Sequence, residues 1–369
     1  MFSYALKSFL QDKTKLFIAV IGIAFSLVLI LLIYGIFKGT EEQVLAYIKN
    51  TRGDLWVMQK GVSTMHMSSS AFPEFYAAQI KKEKEVKEVY KIVYLNNVLK
   101  VGGKKYFAYF LGFEPAKKTS GPWKMAEGDK NVGLNEIIID EKIAQESKLK
   151  IGDSVKFMGQ SLEISGLSEE TYSLASSYIF LNYRKLQELF KTEKIASYMV
   201  VDLRDGENPR EFAKKIKQQY PNLNAISKLK FMDSEGKMVR RMGIESIRVL
   251  SVIAYIIGFL VIAFTVYTLA VERTREFGVI KAIGSKNTGL YAIVFFQSLT
   301  SAIFGLITGV FLSYGSAYLI ERIASELLII IAPATIVRIS VAIVLISIFS
   351  ASVPVYKVSK TDPLIAFRE

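Results

Sequence analysis

At 369 residues, 51% hydrophobic and 22% charged, with a mean hydropathy of +0.29, the chain segregates very apolar stretches from very polar ones. The net charge of +13 calls for an anionic partner, and the apolar stretches make that partner a membrane surface rather than nucleic acid. The absence of cysteine excludes a disulfide framework and a thiolate metal site.

In chain order, residues 1–15 form a basic N-terminal segment, followed by an uncharged run from Leu16 to Phe37. That run is long enough to cross about 30 Å of hydrocarbon. It exceeds the apolar core of a signal peptide, and no small-x-small site follows it, so it reads as an anchor. Beyond it Val44, Leu45 and Ile48 continue a helical stripe to Asn50.

Residues 38–248 have globular composition and mixed α and β patterning. Tyr90–Lys100 and Lys105–Phe113 are rich in β-formers, and Gly102-Gly103 predicts a hairpin between them. Further strands are expected at Glu136–Asp140, Ser154–Met158, Ser161–Ile164, Ser177–Leu181 and Ser197–Leu203, with a second hairpin turning at Gly159-Gln160. Helical spacing covers Phe75–Val89, Glu141–Leu149, Tyr183–Phe190 and Pro209–Tyr220. His66, the only histidine, sits among Met and Ser residues and reads as part of an exposed polar loop. One imidazole beside two thioethers is a weak metal site. Met238, Met242 and Leu250 form an apolar stripe leading into the next span, so both flanking spans are expected to extend outward as helical stalks.

Three more spans follow, at residues 249–271, within 287–320, and at 339–356, joined by a cytoplasmic segment 272–286 and a short external loop 321–338. Residues 357–369 form the tail. Lys and Arg concentrate in the N-terminal segment, in 272–286 and in the tail, which places both termini in the cytoplasm and 38–248 outside. No span carries a charge in its interior, which argues against an ion-coupled carrier or proton relay. In the third span Ser301, Gly305, Gly309, Ser313 and Ala317 recur every four residues, a small-residue stripe suited to close helix packing. The segment 272–286 has an apolar edge at Phe277, Ile280 and Ile283 and mixed charge at Glu272, Arg273, Arg275 and Glu276, so it reads as a short interfacial helix or as a plain topological loop. The chain has no G-x-x-x-x-G-K-[ST] and no H-E-x-x-H, so no nucleotide site, zinc site or cofactor is expected and no enzyme.

The segment Glu272-Arg273-Thr274-Arg275-Glu276-Phe277-Gly278-Val279-Ile280-Lys281-Ala282-Ile283-Gly284 and the ending Asp362-Pro363-Leu364-Ile365-Ala366-Phe367-Arg368 resemble the R-x-x-E-x-G-x-x-[KR]-A-x-G loop and D-P-[IL]-x-A-[LF]-R tail of ABC transporter permeases of the MacB/FtsX type. Asp54-Leu55-Trp56-Val57 and Gly152-Asp153 bring the chain nearest the DevC-like exporter branch. The resemblance implies four transmembrane helices with a large α+β extracytoplasmic domain of MacB-periplasmic-core type, carrying an inserted β-rich part near 113–195. It also implies a bacterial inner-membrane location, a homodimer, and a separate ATPase docking at Arg275, Glu276, Gly278, Lys281, Ala282 and Gly284. A membrane-fusion protein and a TolC-like outer-membrane duct would be further partners. ATP hydrolysis would drive the external domain by mechanotransmission to export a lipid, peptide or drug-like substrate. A cell-wall-hydrolase regulator of FtsX type, or a lipoprotein-releasing permease, is the alternative.

Overall fold

The computed structural model describes residues 13–115, 120–173, 177–272, 287–324 and 326–359. They divide into two compact units, one of Gly39–Met242 with Ser325–Leu328, the other of the flanking helical segments.

The first unit is built on a mixed ten-stranded sheet. Its strands are β1 (Leu55–Gln59), β2 (Phe72–Pro73, outside the sheet), β3 (Val86–Val101), β4 (Lys104–Phe113), β5 (Met125–Gly128), β6 (Glu136–Asp140), β7 (Ser154–Phe157), β8 (Gln160–Ser168), β9 (Ser177–Asn182), β10 (Ile195–Ala196, pairing β2), β11 (Tyr198–Leu203) and β12 (Leu223–Ser227). The order is β12-β1-β11-β3-β4-β9-β6-β8-β5, with β7 on β8; β4–β9 and β6–β8 are parallel and the rest antiparallel.

Period-two alternation gives the sheet two apolar faces. Trp56, Tyr198, Val200, Ile92, Leu111, Phe180 and Ile138 share one, which is closed by Tyr47, Ile48 and Phe231 from two long helices. The opposite face is covered in two patches. α2 (Tyr76–Lys81) and α5 (Pro209–Gln219) close the β1–β11 end through Ile80, Phe212 and Ile216. α3 (Glu141–Ser147) and α4 (Tyr183–Phe190) close the β4–β9–β6 end through Ile143 and Leu186, and Phe110 stacks on Phe157 at 4.1 Å between centroids.

The sequence expectations for β4, β6, β7 and β9 hold to within a residue or two. Helical spacing misled at Phe75–Val89, where the helix ends at Lys81. Val86 and Val89 pair with Leu203 and Val201 of β11, and burial against that strand outweighs the weak local helix preference. The short strands β1 and β12 escaped notice.

The second unit contains most of α1 (Lys13–Asn50), α6 (Lys228–Glu272), α7 (Asn287–Ile323) and α8 (Pro333–Ser359). All four expected spans lie within these helices. Leu16–Asn50 and Ser298–Ile323 are long and apolar enough to cross a membrane by length and composition, and Val252–Val261 and Pro333–Phe349 are shorter apolar stretches. Outward-facing Phe304, Ile307, Phe311 and Tyr314 on α7 make an apolar face that lipid would satisfy.

Asp140 anchors the far end of the sheet. Its Oδ1 accepts the Lys142 amide at 2.9 Å and caps α3, while Oδ2 accepts the Thr171 amide at 2.9 Å and its hydroxyl at 2.6 Å. Burial raises its pKa against these bonds. A raised folded pKa means the proton is held more tightly in the folded state, so this contribution is complete below the ordinary carboxylate range and lost as pH rises through the raised value. Relative to Asp140→Asn, the wild-type chain should therefore lose stability from pH 4 towards neutrality, read as melting temperature against pH in detergent; a constant difference would contradict this.

Candidate functional site

Two constructions account for how the long helices are held. In the helical unit, the buried stripe of α1 at Ile23, Leu27, Ile30 and Leu31 packs with Ala254 of α6, Ala302 of α7 and Ile339 and Ile343 of α8. In lipid no hydrophobic drive pulls helices together, so close backbone approach and packing carry the association. Here the approach is set by glycine. A Cβ on Gly305 would lie 2.6 Å from Ile23 Cβ, and one on Gly309 would lie 3.0 Å from Ala24 Cα and 3.1 Å from its carbonyl oxygen. Gly22 likewise faces Val261 of α6. The small-residue stripe of Ser301, Gly305, Gly309, Ser313 and Ala317 is buried along its length, and the face it meets at the two glycines belongs to α1 of the same chain. Ser313 Oγ donates to the Gly309 carbonyl at 2.6 Å, so the hydroxyl needs no partner across the interface.

In the sheet-bearing unit, the end of α1 and the start of α6 grip the sheet. Gly53, at φ +124°, follows α1 and turns the chain into β1, close against Val200, where a side chain would collide. Lys228, the first residue of α6, donates its amide to Asp54 O at 2.8 Å and its ammonium to Thr51 O at 2.8 Å. Burial lowers the Lys228 pKa, and the Asp54 charge opposes that shift. About three turns further on, Arg240 of α6 pairs with Glu41 of α1.

The centre of this grip is Glu235, wholly buried on the inner face of α6. Its Oε1 accepts the amides of Met65 and His66, and its Oε2 lies 3.4 Å from His66 Nδ1. His66 Nε2 in turn lies 3.0 Å from the Tyr178 hydroxyl on β9. Burial, with Tyr109 and Glu235 nearby, raises the Tyr178 pKa, so the phenol stays protonated and can donate to Nε2, leaving Nδ1–H to donate to Glu235. Tyr109 packs edge-on against the imidazole at 4.9 Å, and Tyr47 of α1 stacks on Tyr178 at 5.7 Å. One chain of contacts thus joins α6, the 62–68 loop, the central sheet and α1.

This corrects the reading of His66 as part of an exposed loop: its side chain is 7% exposed. The inward stripe of α6 is Phe231, Glu235 and Val239, whereas Met242 is 65% exposed. A carboxylate in the apolar phase of a helix is invisible to hydrophobic periodicity. Among the described residues no group of three or more His, Asp or Glu is placed to hold a metal. Of the expected docking residues, Glu272 ends α6; Arg273, Arg275, Glu276, Gly278, Lys281, Ala282 and Gly284 lie outside the described residues.

Two outcomes are expected. Glu235→Ala leaves two buried amides and an imidazole without their acceptor and should cost about 2–4 kcal/mol, while Lys237→Ala on the exposed face should stay within about 0.5 kcal/mol; thermal unfolding in detergent separates them. Gly309→Leu drives a side chain into the α1 backbone and should cost about 1–3 kcal/mol or prevent folding, whereas Gly315→Leu, with open space around its Cβ position, should be tolerated. Equal melting temperatures for the two glycine variants would contradict the close α1–α7 approach.

Compared with known proteins, residues 16–219 match the family description MacB-like periplasmic core domain, and residues 248–363 match FtsX-like permease C-terminal. The chain is 23% identical to an uncharacterized ABC transporter permease of Mycobacterium tuberculosis, over 98% of both chains. An uncharacterized ABC transporter permease of Methanocaldococcus jannaschii is 25% identical, with 88% of this chain and 85% of that one covered. The crystal structure of the periplasmic region of MacB from Actinobacillus actinomycetemcomitans aligns with a TM-score of 0.39 at 12% identity, covering 52% of this chain and 96% of that one.

Proposed function

The chain belongs to the ABC transporter permeases of MacB/FtsX type, and on that premise we propose that it is the membrane subunit of an exporter, converting ATP hydrolysis by a separate subunit into motion of its external domain. The observation that carries this reading is the path of α1 and α6. Each runs unbroken from an apolar segment into the sheet-bearing unit, where the Glu235 network and the Glu41–Arg240 pair fasten them. At about 1.5 Å per residue, α1 exceeds what about 30 Å of hydrocarbon requires, so its last turns stand clear of lipid as a stalk.

In this reading α1, α6, α7 and α8 all span a bacterial inner membrane, both termini are cytoplasmic, and residues 38–248 lie outside. The ATPase docks on 272–286 through the mixed charges of Glu272, Arg273, Arg275, Glu276 and Lys281, with Gly278, Ala282 and Gly284 allowing close approach. Two permease chains pair so that two ATPases face each other. The cargo is a lipid, peptide or drug-like molecule, moved without an enzymatic step in this chain; a membrane-fusion protein and a TolC-like duct complete the route in a cell with an outer membrane. The glycine seam fits the same scheme. It binds α7 to α1 tightly enough that motion started at the cytoplasmic end reaches the stalk.

The test is ATPase turnover of the cognate subunit in nanodiscs, alone, with the wild-type chain, and with Glu276→Lys. Stimulation by the wild-type chain that is lost in a variant melting at the same temperature is the expected result. No stimulation by the wild-type chain, or equal stimulation by the variant, would overturn the coupling role of 272–286.

A further inference from the structure

Part of the chain between α7 and α8 lies along α1. Residues 327–332 are neither helix nor strand, so their backbone groups must find partners elsewhere. The Ile329 amide donates to Glu321 Oε1, near the end of α7, at 2.7 Å. The Ile330 amide donates to the Gly35 carbonyl oxygen of α1 at 3.0 Å. About two turns further along α1, Gln43 Nε2 donates to the Glu326 carbonyl oxygen at 3.2 Å. The same short segment is thus bonded to α1 near both of its ends.

Between these two bonds α1 presents glycine. Gly35 and Gly39 are four residues apart and so share one face of the helix. A Cβ on Gly35 would lie 2.7 Å from Ile329 Cγ2, and one on Gly39 would collide with the Leu328 carbonyl group. Ile329 is buried. The segment therefore rests directly on the helix backbone, at a place where only glycine admits it.

That placement weakens α1 by itself. Glycine in a helix interior is destabilising relative to alanine, and here two glycines fall within about one turn, beside the β-branched Thr40. A helix of this composition opens most readily at such a point. Yet α1 runs as helix from Lys13 to Asn50 without a break. The feature that offsets the glycines is the segment laid over them.

We infer that residues 326–330 are a splint for α1. Bonded at Gly35 and Gln43 and seated on Gly39, they hold the helix as a single rod where its own sequence would let it hinge. Glycine admits the splint, and the splint restores the stiffness that glycine removes. Its use in carrying motion along α1 rests on the exporter reading; its presence does not.

The test is hydrogen exchange of the full chain in detergent, read by mass spectrometry at the amides of residues 39–44, whose helical acceptors are residues 35–40. Ile330→Pro removes the amide that Gly35 accepts and leaves the α1 sequence untouched. Gly39→Leu displaces Leu328, although leucine is the better helix former. Exchange at 39–44 is expected to be about tenfold faster or more in both variants than in the wild type. Amides 24–30 of α1 and those of β4 and β9 should be unchanged, which verifies folding. In Gly39→Leu this outcome runs against helix propensity, which alone predicts slower exchange. Unchanged exchange in Ile330→Pro, or slower exchange in Gly39→Leu, would overturn the splint. Should Gly39→Leu not fold, Ile330→Pro decides alone. A wild-type chain that fails to stimulate its ATPase would sink the exporter reading and leave the exchange result standing.

Discussion

A carboxylate with no access to water fixes how α6, the longest helix among the described residues, meets the sheet. Burying Glu235 without donors would be severely unfavourable, so α6 can seat itself only where the Met65 and His66 amides and the His66 ring converge on it. That requirement sets the rotation of α6 about its axis and the path of the 62–68 loop. Through Tyr178 it reaches the middle of the sheet. Apolar packing by Phe231 and Val239 alone would tolerate some slippage; a carboxylate with directional partners does not.

The helical unit solves a different problem with different chemistry. Apolar side chains pack against lipid nearly as well as against each other, so α1 and α7 are held by proximity. Gly305 and Gly309 bring the two backbones within van der Waals contact, and Ser313 of the same stripe folds its hydroxyl back onto its own helix. The clamp is polar and directional, whereas the seam is apolar and close. Both join the parts of a single chain that the proposed exporter has to move together.

Much of this architecture was legible in the residues. Uncharged runs marked the helices, β-branched and aromatic runs marked most central strands, and the four-residue recurrence from Ser301 to Ala317 marked the face that proved to be buried. What escaped notice depends on distance or on exceptions to pattern. His66 finds its partner 169 residues away, which no local window can show. The inward face of α6 was misassigned to Met238 and Met242 because its true phase carries a glutamate. Val86–Val89 read as helix until β11 claimed them. Short β1 and β12 carry little alternation of their own and become strands through their neighbours.

The most direct test of the central claim, that the clamped stalk of α1 carries ATP-driven motion into the external domain, is pulsed electron–electron resonance. The chain has no native cysteine, so a spin label on Lys49→Cys, at the exposed last turn of α1, is unique in each copy. In the reconstituted complex with its ATPase, the account predicts a defined label-to-label distance that shifts between the nucleotide-free and ATP-trapped states. The same distance in both states, or no defined distance in either, would contradict it.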